Sequence, residues 1–265
     1  MIDNTEDPCA SGTVGCMSTP SSLARGVLAI EGALNVRDLG GLPTEDGGTT
    51  LSGRLIRSDS PHALTDAGIE ALSALGLRTV VDLRTSAERL NRRSRLEGVE
   101  GISVVACPIF TDDDPDPDPP LLVTADIYTR WLDEHGDRVG AALSAIAEAA
   151  NPPVLVHCHR GKDRTGLIVA LVLRIAGVPA DVVADDYARS GEGLRDKLEK
   201  ERRVRVERGE NPALVDRLVT VTRESMIDTL EHLDREHGGA ARFARSVGLD
   251  QSAVRRLRDL LRAED

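Results

Sequence analysis

Pro153-Val154-Leu155-Val156-His157-Cys158-His159-Arg160-Gly161-Lys162-Asp163-Arg164-Thr165-Gly166-Leu167-Ile168-Val169-Ala170 decides how this chain folds. The short apolar run up to His157 reads as a buried strand. A polar loop with one glycine follows, and then, from Thr165 to Ala176, an apolar stretch of helical length that ends near Gly177 and Pro179. A strand that turns through such a loop into a helix puts the loop at the carboxyl edge of an α/β sheet, where ligands bind. There the loop can aim successive backbone N–H groups inward, and the helix N-terminus adds positive potential, giving an anion cradle of phosphate size.

Outward from this stretch the elements alternate. Thr65–Ala74 reads as a helix with Thr65 as N-cap and Leu72 and Leu75 on its apolar side. Arg78–Leu83 and Ile102–Ile109 read as further strands, Ser86–Arg95 as a charged helix, and Ala125–Ala150 as one or two helices. The acidic, proline-rich segment Thr111–Pro120 can be neither helix nor central strand. The expected fold is therefore α/β, with a central, mostly parallel sheet flanked by helices and a helical part from Asp181 to the end. Residues 1–25, rich in Ser, Thr, Gly and Pro, read as a disordered tail, and residues 26–265 as one domain.

The chain has 265 residues and a net charge of −11; aromatic residues make up only 2%. The tail and the run Asp112–Asp118 hold most of the excess acid, so the body is nearly balanced. Neither the charge nor the scarcity of rings suits a nucleic-acid binder. Cys9, Cys16, Cys107 and Cys158 have no zinc-finger spacing and suggest reduced thiols in a cytoplasmic setting, with a local Cys9–Cys16 pair as the lesser alternative. No stretch reaches membrane-spanning length, and no secretory leader pattern is present; export without a leader stays open.

Each residue type in the loop has a physical task. Cys158 is the expected nucleophile, because inward amides, the helix dipole and a nearby arginine all favour a thiolate. It would attack phosphorus and carry a phosphocysteine intermediate. Arg164, five residues after the motif's His159, offers a planar fork for two phosphate oxygens and for transition-state charge. Gly161 permits the tight turn, His157 orders the loop from behind, and Thr165 can donate to the sulfur. His159, Arg160, Lys162 and Asp163 complete the expected phosphate-binding set. Asp163 can protonate the leaving oxygen and then take a proton from water. Such hydrolysis of phosphate monoesters needs no metal or cofactor, and the sequence has no metal-ligand spacing. A sulfurtransferase of the rhodanese kind would have a loop one residue shorter. An inactive phosphate-binding scaffold would not need Cys158, Asp163 and Arg164 together.

His157–Gly166, ending Gly-Lys-Asp-Arg-Thr-Gly, resembles the signature of the atypical bacterial tyrosine/lipid phosphatase family. Asn35–Leu42, Gly53–Asp59, Thr79–Arg84, Asp186-Tyr187 and Val247–Leu249 are similar to its other motifs. The resemblance implies a tyrosine-phosphatase-like fold and activity on phosphotyrosine, with phosphoserine/threonine and phosphoinositides as further substrate classes. It implies Asp163 as the general acid inside the loop, since the single tryptophan, Trp131, precedes Leu132-Asp133 rather than Pro-Asp. Asp82 is the second candidate, its alternative being an ion pair with Arg84 or Arg57. Asp59, Arg37 and Asp38 are expected to support the site. His159-Arg160 departs from the small or apolar pair usual in the family. A cationic rim there favours polyanionic substrates, unless Arg160 meets solvent or the acidic loop. Residues 189–225 stand where family members carry a helical lid. Cys107 is read as core, with a resolving thiol as the alternative.

Overall fold

The computed structural model describes residues 26–114, 124–149 and 151–263. The expectations for the tail, for a Cys9–Cys16 pair and for residues 115–120 lie outside these.

Strands β1 (Arg37–Asp38), β2 (Leu55–Ser58), β3 (Thr79–Asp82), β4 (Ser103–Ala106) and β5 (Val154–His157) form one five-stranded sheet in the order β1-β2-β5-β3-β4. β5, the last strand in sequence, lies at the centre. β2, β5, β3 and β4 run parallel, and only β1, on the β2 edge, is antiparallel. The side chains alternate between two cores, as strand geometry requires. Leu55, Val81, Val154 and Val156 enter a large helical core, whereas Ile56, Val80 and Leu155 face a smaller one with Leu72, Leu77 and Leu96. The register sets Ser58, His157, Asp82 and Ala106 in one row at the carboxyl edge, directly before the loops that build the site.

Helices α1 (Asp66–Ala74), α2 (Ser86–Asn91), α3 (Thr124–Glu134), α4 (Gly136–Ala147), α5 (Asp163–Ile175) and α6 (Ala180–Ala188) follow these strands. The rest of the chain is helical: α7 (Ser190–Gly193), α8 (Arg195–Glu207), α9 (Pro212–Val219), α10 (Arg223–His237), α11 (Ala240–Ser246) and α12 (Gln251–Leu261). Among the described residues no helix is long and apolar enough to cross a membrane. α5 is apolar on nearly every side because it is the central helix of the large core, from Leu167 to Ile175.

Three local readings change. Thr65 caps α1, its Oγ1 accepting the Gly68 N–H at 3.2 Å, and Leu72 is buried. Leu75, however, is 45% exposed: α1 ends at Ala74, and Gly76, at φ +83°, turns the chain so that Leu77 enters the core instead. α2 stops at Asn91 rather than Arg95, because Arg92 leaves helical geometry and its carbonyl accepts from Arg84 Nη1 at 2.7 Å. α5 starts at Asp163, two residues before Thr165, so Asp163 and Arg164 both stand in its first turn.

The core on α5 carries the fold. Leu171→Ala, at a fully buried position, is expected to cost about 2–5 kcal/mol of unfolding free energy. Leu90→Ala, at a position 72% exposed, should stay within about 0.5 kcal/mol. Urea unfolding of both variants checks this.

Candidate active site

Between β5 and α5 the chain must turn its carbonyls outward if its amides are to face a ligand. The structure gives most of those carbonyls an outside partner. His157 O accepts from Leu83 N–H at 2.9 Å, and His159 O from Ser60 N–H at 3.2 Å. The Cys158 carbonyl lies 3.1 Å from His157 Nδ1. Gly161 O accepts from Arg57 Nη2 at 2.8 Å and Asn35 Nδ2 at 2.9 Å, and Lys162 O from Gly166 N–H at 2.8 Å. Among the described residues the N–H groups of His159 to Thr165 have no such backbone or side-chain acceptor. Gly161 sits at φ +63°, and a Cβ there would lie 2.2 Å from Ser58 O, so only glycine fits.

A buried ionic cluster anchors this loop. Asp186, on α6, receives Arg37 Nε at 3.0 Å and Arg57 Nη1 at 2.6 Å. Arg57 also reaches Ser190 Oγ at 3.2 Å. Burial and the neighbouring Arg57 lower the Arg37 pKa to about 10, still far above neutrality. Two guanidiniums against one carboxylate leave net positive charge behind the loop, which favours an anion in front of it. Gly166 lets the Tyr187 ring pack against α5; a Cβ there would lie 2.9 Å from that ring.

In front lies a cavity of about 200 Å³, lined by Cys158, His159, Arg160, Asp163 and Arg164 together with Glu88, Phe110 and Trp131. Cys158 is only 3% exposed. Arg164 Nη1 and Nη2 donate to Glu88 at 2.6 and 2.8 Å, and Nη1 also reaches Leu83 O at 3.3 Å. Of the five guanidinium donors, those contacts use three. The Nε–H and one Nη2–H remain, and they form the side-on edge that can take two oxygens of one anion. Burial works against the charge on Arg164, but Glu88, Cys158 and Asp163 outweigh it and raise its pKa. Burial likewise opposes the Glu88 carboxylate, yet its hydrogen bond from Arg164 holds it at about 2.

Asp163 Oδ1 accepts from Tyr128 Oη at 2.6 Å and lies 3.3 Å from Lys162 Nζ. Burial raises the acid, but Lys162 and Tyr128 prevail and lower it. Tyr128 Oη in turn meets Tyr187 Oη at 2.7 Å. Phe110 and Trp131 meet edge to face at 4.9 Å and supply an apolar wall.

Several expected site residues stand elsewhere. Asp82 is fully buried behind the loop, gripped by Arg84 at 2.9 and 2.6 Å, and 3.6 Å from His157 Nε2. Of its two alternatives the structure realises the ion pair, with Arg84. Lys162 is buried and donates to Leu218 O at 2.8 Å. Thr165 Oγ1 is buried and makes no hydrogen bond, so the expected donation to the sulfur is absent. Arg160 pairs with Glu201 on α8, and within the described part of the acidic loop Asp114 pairs with Arg138. Asp59 accepts Leu34 N–H at 2.8 Å and Lys197 Nζ at 3.1 Å, while Asp38 accepts the Gly40 and Gly53 amides and orders a turn. Cys107 is a core residue, and burial pushes its thiol to about 11. Glu88 and Tyr128 lie far from the motif in sequence. Only the capping box Thr85-x-x-Glu88 hinted that Glu88 had a fixed position.

Two contacts bring α8 and α9 against the loop, Arg160 to Glu201 and Lys162 to Leu218 O, and a third, Lys197 to Asp59, ties α8 to the end of β2. Arg205 and Leu218 close a smaller recess beside Tyr128, Trp131 and Asp163.

The chain matches, over residues 28–263, the family model described as "Tyrosine phosphatase family". It is 33% identical to the triple specificity protein phosphatase PtpB of Mycobacterium tuberculosis, over 89% of this chain and 99% of that protein. It is 26% identical to a tyrosine-protein phosphatase of Nostoc commune, over 77% of this chain and 72% of that one. A shorter match, 40% identical over 20% of this chain and 24% of the relative, is to the inositol diphosphatase DSP1 of Oryza sativa.

His157 gives the site a pH signature. Burial lowers its pKa from 6.5 to about 4, so the folded chain keeps it neutral where the unfolded chain protonates it. Stability is complete above the unfolded value and falls as pH drops from about 6.5 toward 4, by up to about 1.4 kcal/mol per pH unit. Urea unfolding at pH 7 and pH 5 should show a smaller loss for His157→Asn, which keeps a donor but does not titrate. An equal loss would exclude His157 as the source.

Proposed function

The chain belongs to the tyrosine phosphatase family and is a phosphoric monoester hydrolase of the protein-tyrosine-phosphatase class, and from that premise we propose that Cys158, Arg164 and Asp163 carry its chemistry. The observation that carries this reading is the convergence of all three on one cavity at the N-terminus of α5, with the loop's carbonyls anchored outward.

The Cys158 thiolate forms an S–P bond as the P–O bond to the leaving group breaks, and Asp163 gives its proton to that leaving oxygen. The Arg164 Nε/Nη2 edge and the inward amides take the charge that develops on the equatorial oxygens. Water then attacks the phosphocysteine, giving its proton to the Asp163 carboxylate; the S–P bond breaks, and phosphate and thiolate are restored. In the ligand-free loop Lys162 and Tyr128 hold Asp163 ionised. A phosphate dianion beside it has the opposite effect, raising it toward the protonated form that an acid needs. Asp82 is not suited to the task, since its carboxylate is spent on Arg84 behind the loop.

The apolar wall of Phe110 and Trp131 suits the ring of phosphotyrosine. A second class, phosphoinositides and other polyanions, is favoured by the Arg160 charge at the cavity, whereas burial lowers the His159 pKa to about 4 and leaves that ring neutral. Arg160 is engaged by Glu201, so a second phosphate gains it only when α8 withdraws. In this reading α8 and α9 act as a lid, and residues 26–265 as one catalytic domain that works in a reducing, cytoplasmic setting, where the thiol stays active.

With a small aryl phosphate and no added metal, Cys158→Ser should lose on the order of 10⁴-fold or more in turnover. Retained turnover, or dependence on a divalent metal, would overturn the covalent reading. Asp163→Asn should cost about 10²–10⁴-fold on phosphotyrosine peptide but little on an ester whose leaving group needs no proton. If Asp82→Asn alone gave that leaving-group pattern, the acid would be misassigned.

A further inference from the structure

Away from the phosphate cavity, three side chains far apart in sequence meet where two helices end. Asp133 Oδ1, in the last turn of α3, lies 3.2 Å from His232 Nε2 and 2.8 Å from His237 Nε2, both on α10. One ligand atom from each residue lies within 4.8 Å of the others. We propose that Asp133, His232 and His237 form a binding site for a divalent transition metal, with zinc as the best-fitting ion.

The donor set is the first argument. Two imidazole nitrogens and one carboxylate oxygen suit zinc, whereas calcium and magnesium need more oxygen ligands. The geometry is the second. Ligands about 2.0–2.1 Å from a tetrahedral ion stand roughly 3.3 Å apart. Both N–O separations are within about half an ångström of that, so small ring rotations admit an ion. The field is the third argument. α3 ends at Glu134 and α10 at His237, so the partial negative charges of two helix C-termini accompany the Asp133 carboxylate. Preorganisation is the fourth. The His237 ring stands edge-on to Phe243 at 5.1 Å and 82°, and the imidazoles are 18% and 21% exposed. Asp133 is 46% exposed, which leaves room for solvent as the fourth ligand.

One cation opposes the site. Arg235 Nη2 lies 3.5 Å from His232 Nδ1, but Arg235 is 65% exposed and already pairs with Glu236, so it is free to swing outward. The competing account is a ligand-free clip in which both rings donate to Asp133. α3 also carries Trp131 of the cavity wall, so an ion here would staple that wall to α10 without entering the reaction.

The test uses the full chain bearing Cys158→Ser, which removes a competing thiolate, after treatment with a chelator. Zinc chloride is titrated by calorimetry and cobalt chloride by visible absorption. The parent should bind one equivalent of zinc, give a tetrahedral nitrogen/oxygen cobalt spectrum, and melt at a higher temperature with zinc present. His232→Gln with His237→Gln keeps amide donors for Asp133, and so the clip, but removes both imidazoles. It should lose that equivalent, the spectrum and the thermal shift, and Asp133→Asn should weaken binding at least about 10-fold. Equal zinc uptake by parent and double variant, or none by either, would overturn the proposal and leave the clip.

Discussion

The site depends on the hydrogen bond from Arg57 to the Gly161 carbonyl, because a cradle of amides exists only if the loop's carbonyls are held the other way. Arg57 can do this since Asp186 holds its Nη1 and Ser190 its Nη2, while its buried Nε has no hydrogen-bond partner. Arg37 adds a second guanidinium to Asp186 and reaches Asn35, whose amide donates to the same Gly161 carbonyl. One ionic cluster therefore spans β1, β2, α6 and α7, and its output is the shape of a single loop. It also explains why Gly161 has no substitute: the residue lies against the Ser58 backbone in a left-handed conformation.

The same economy governs the cations around the cavity. Arg164 has its end-on donors committed to Glu88, so it presents a fixed edge rather than a mobile charge. Lys162 and Arg160, which look in sequence like further phosphate ligands, are directed to Leu218 and Glu201. Two of the loop's three cations thus tie it to α9 and α8. A motif that reads as uniformly cationic separates into one charge paired with Glu88 and two directed to the helices beside it.

Much of the architecture was legible because strands and helices announce themselves by period. The run to His157 and the apolar stretch after Thr165 became β5 and α5, and the parallel sheet followed from their alternation with the flanking elements. The errors fell at ends, where capping and tertiary contacts rule. Leu75 lost its core place to Leu77 through a turn at Gly76, and α2 stopped where Arg84 captured the Arg92 carbonyl. The antiparallel β1 has only two residues, too few for periodicity to reveal.

For the site, sequence alone singled out Cys158, Arg164 and Asp163 as candidates, because all three fall within one loop whose spacing is set by local chemistry. Tertiary structure alone decided what each group's neighbours would be. Asp82 lies at the same strand end as His157, yet it is fully buried and paired with Arg84. Glu88 and Tyr128 enter from distant helices to hold Arg164 and Asp163, and Asp133 meets His232 and His237 across 99 and 104 residues. Such contacts leave no period or spacing in the chain. They arise only when packing brings together residues whose separation in sequence carries no information about their distance in space.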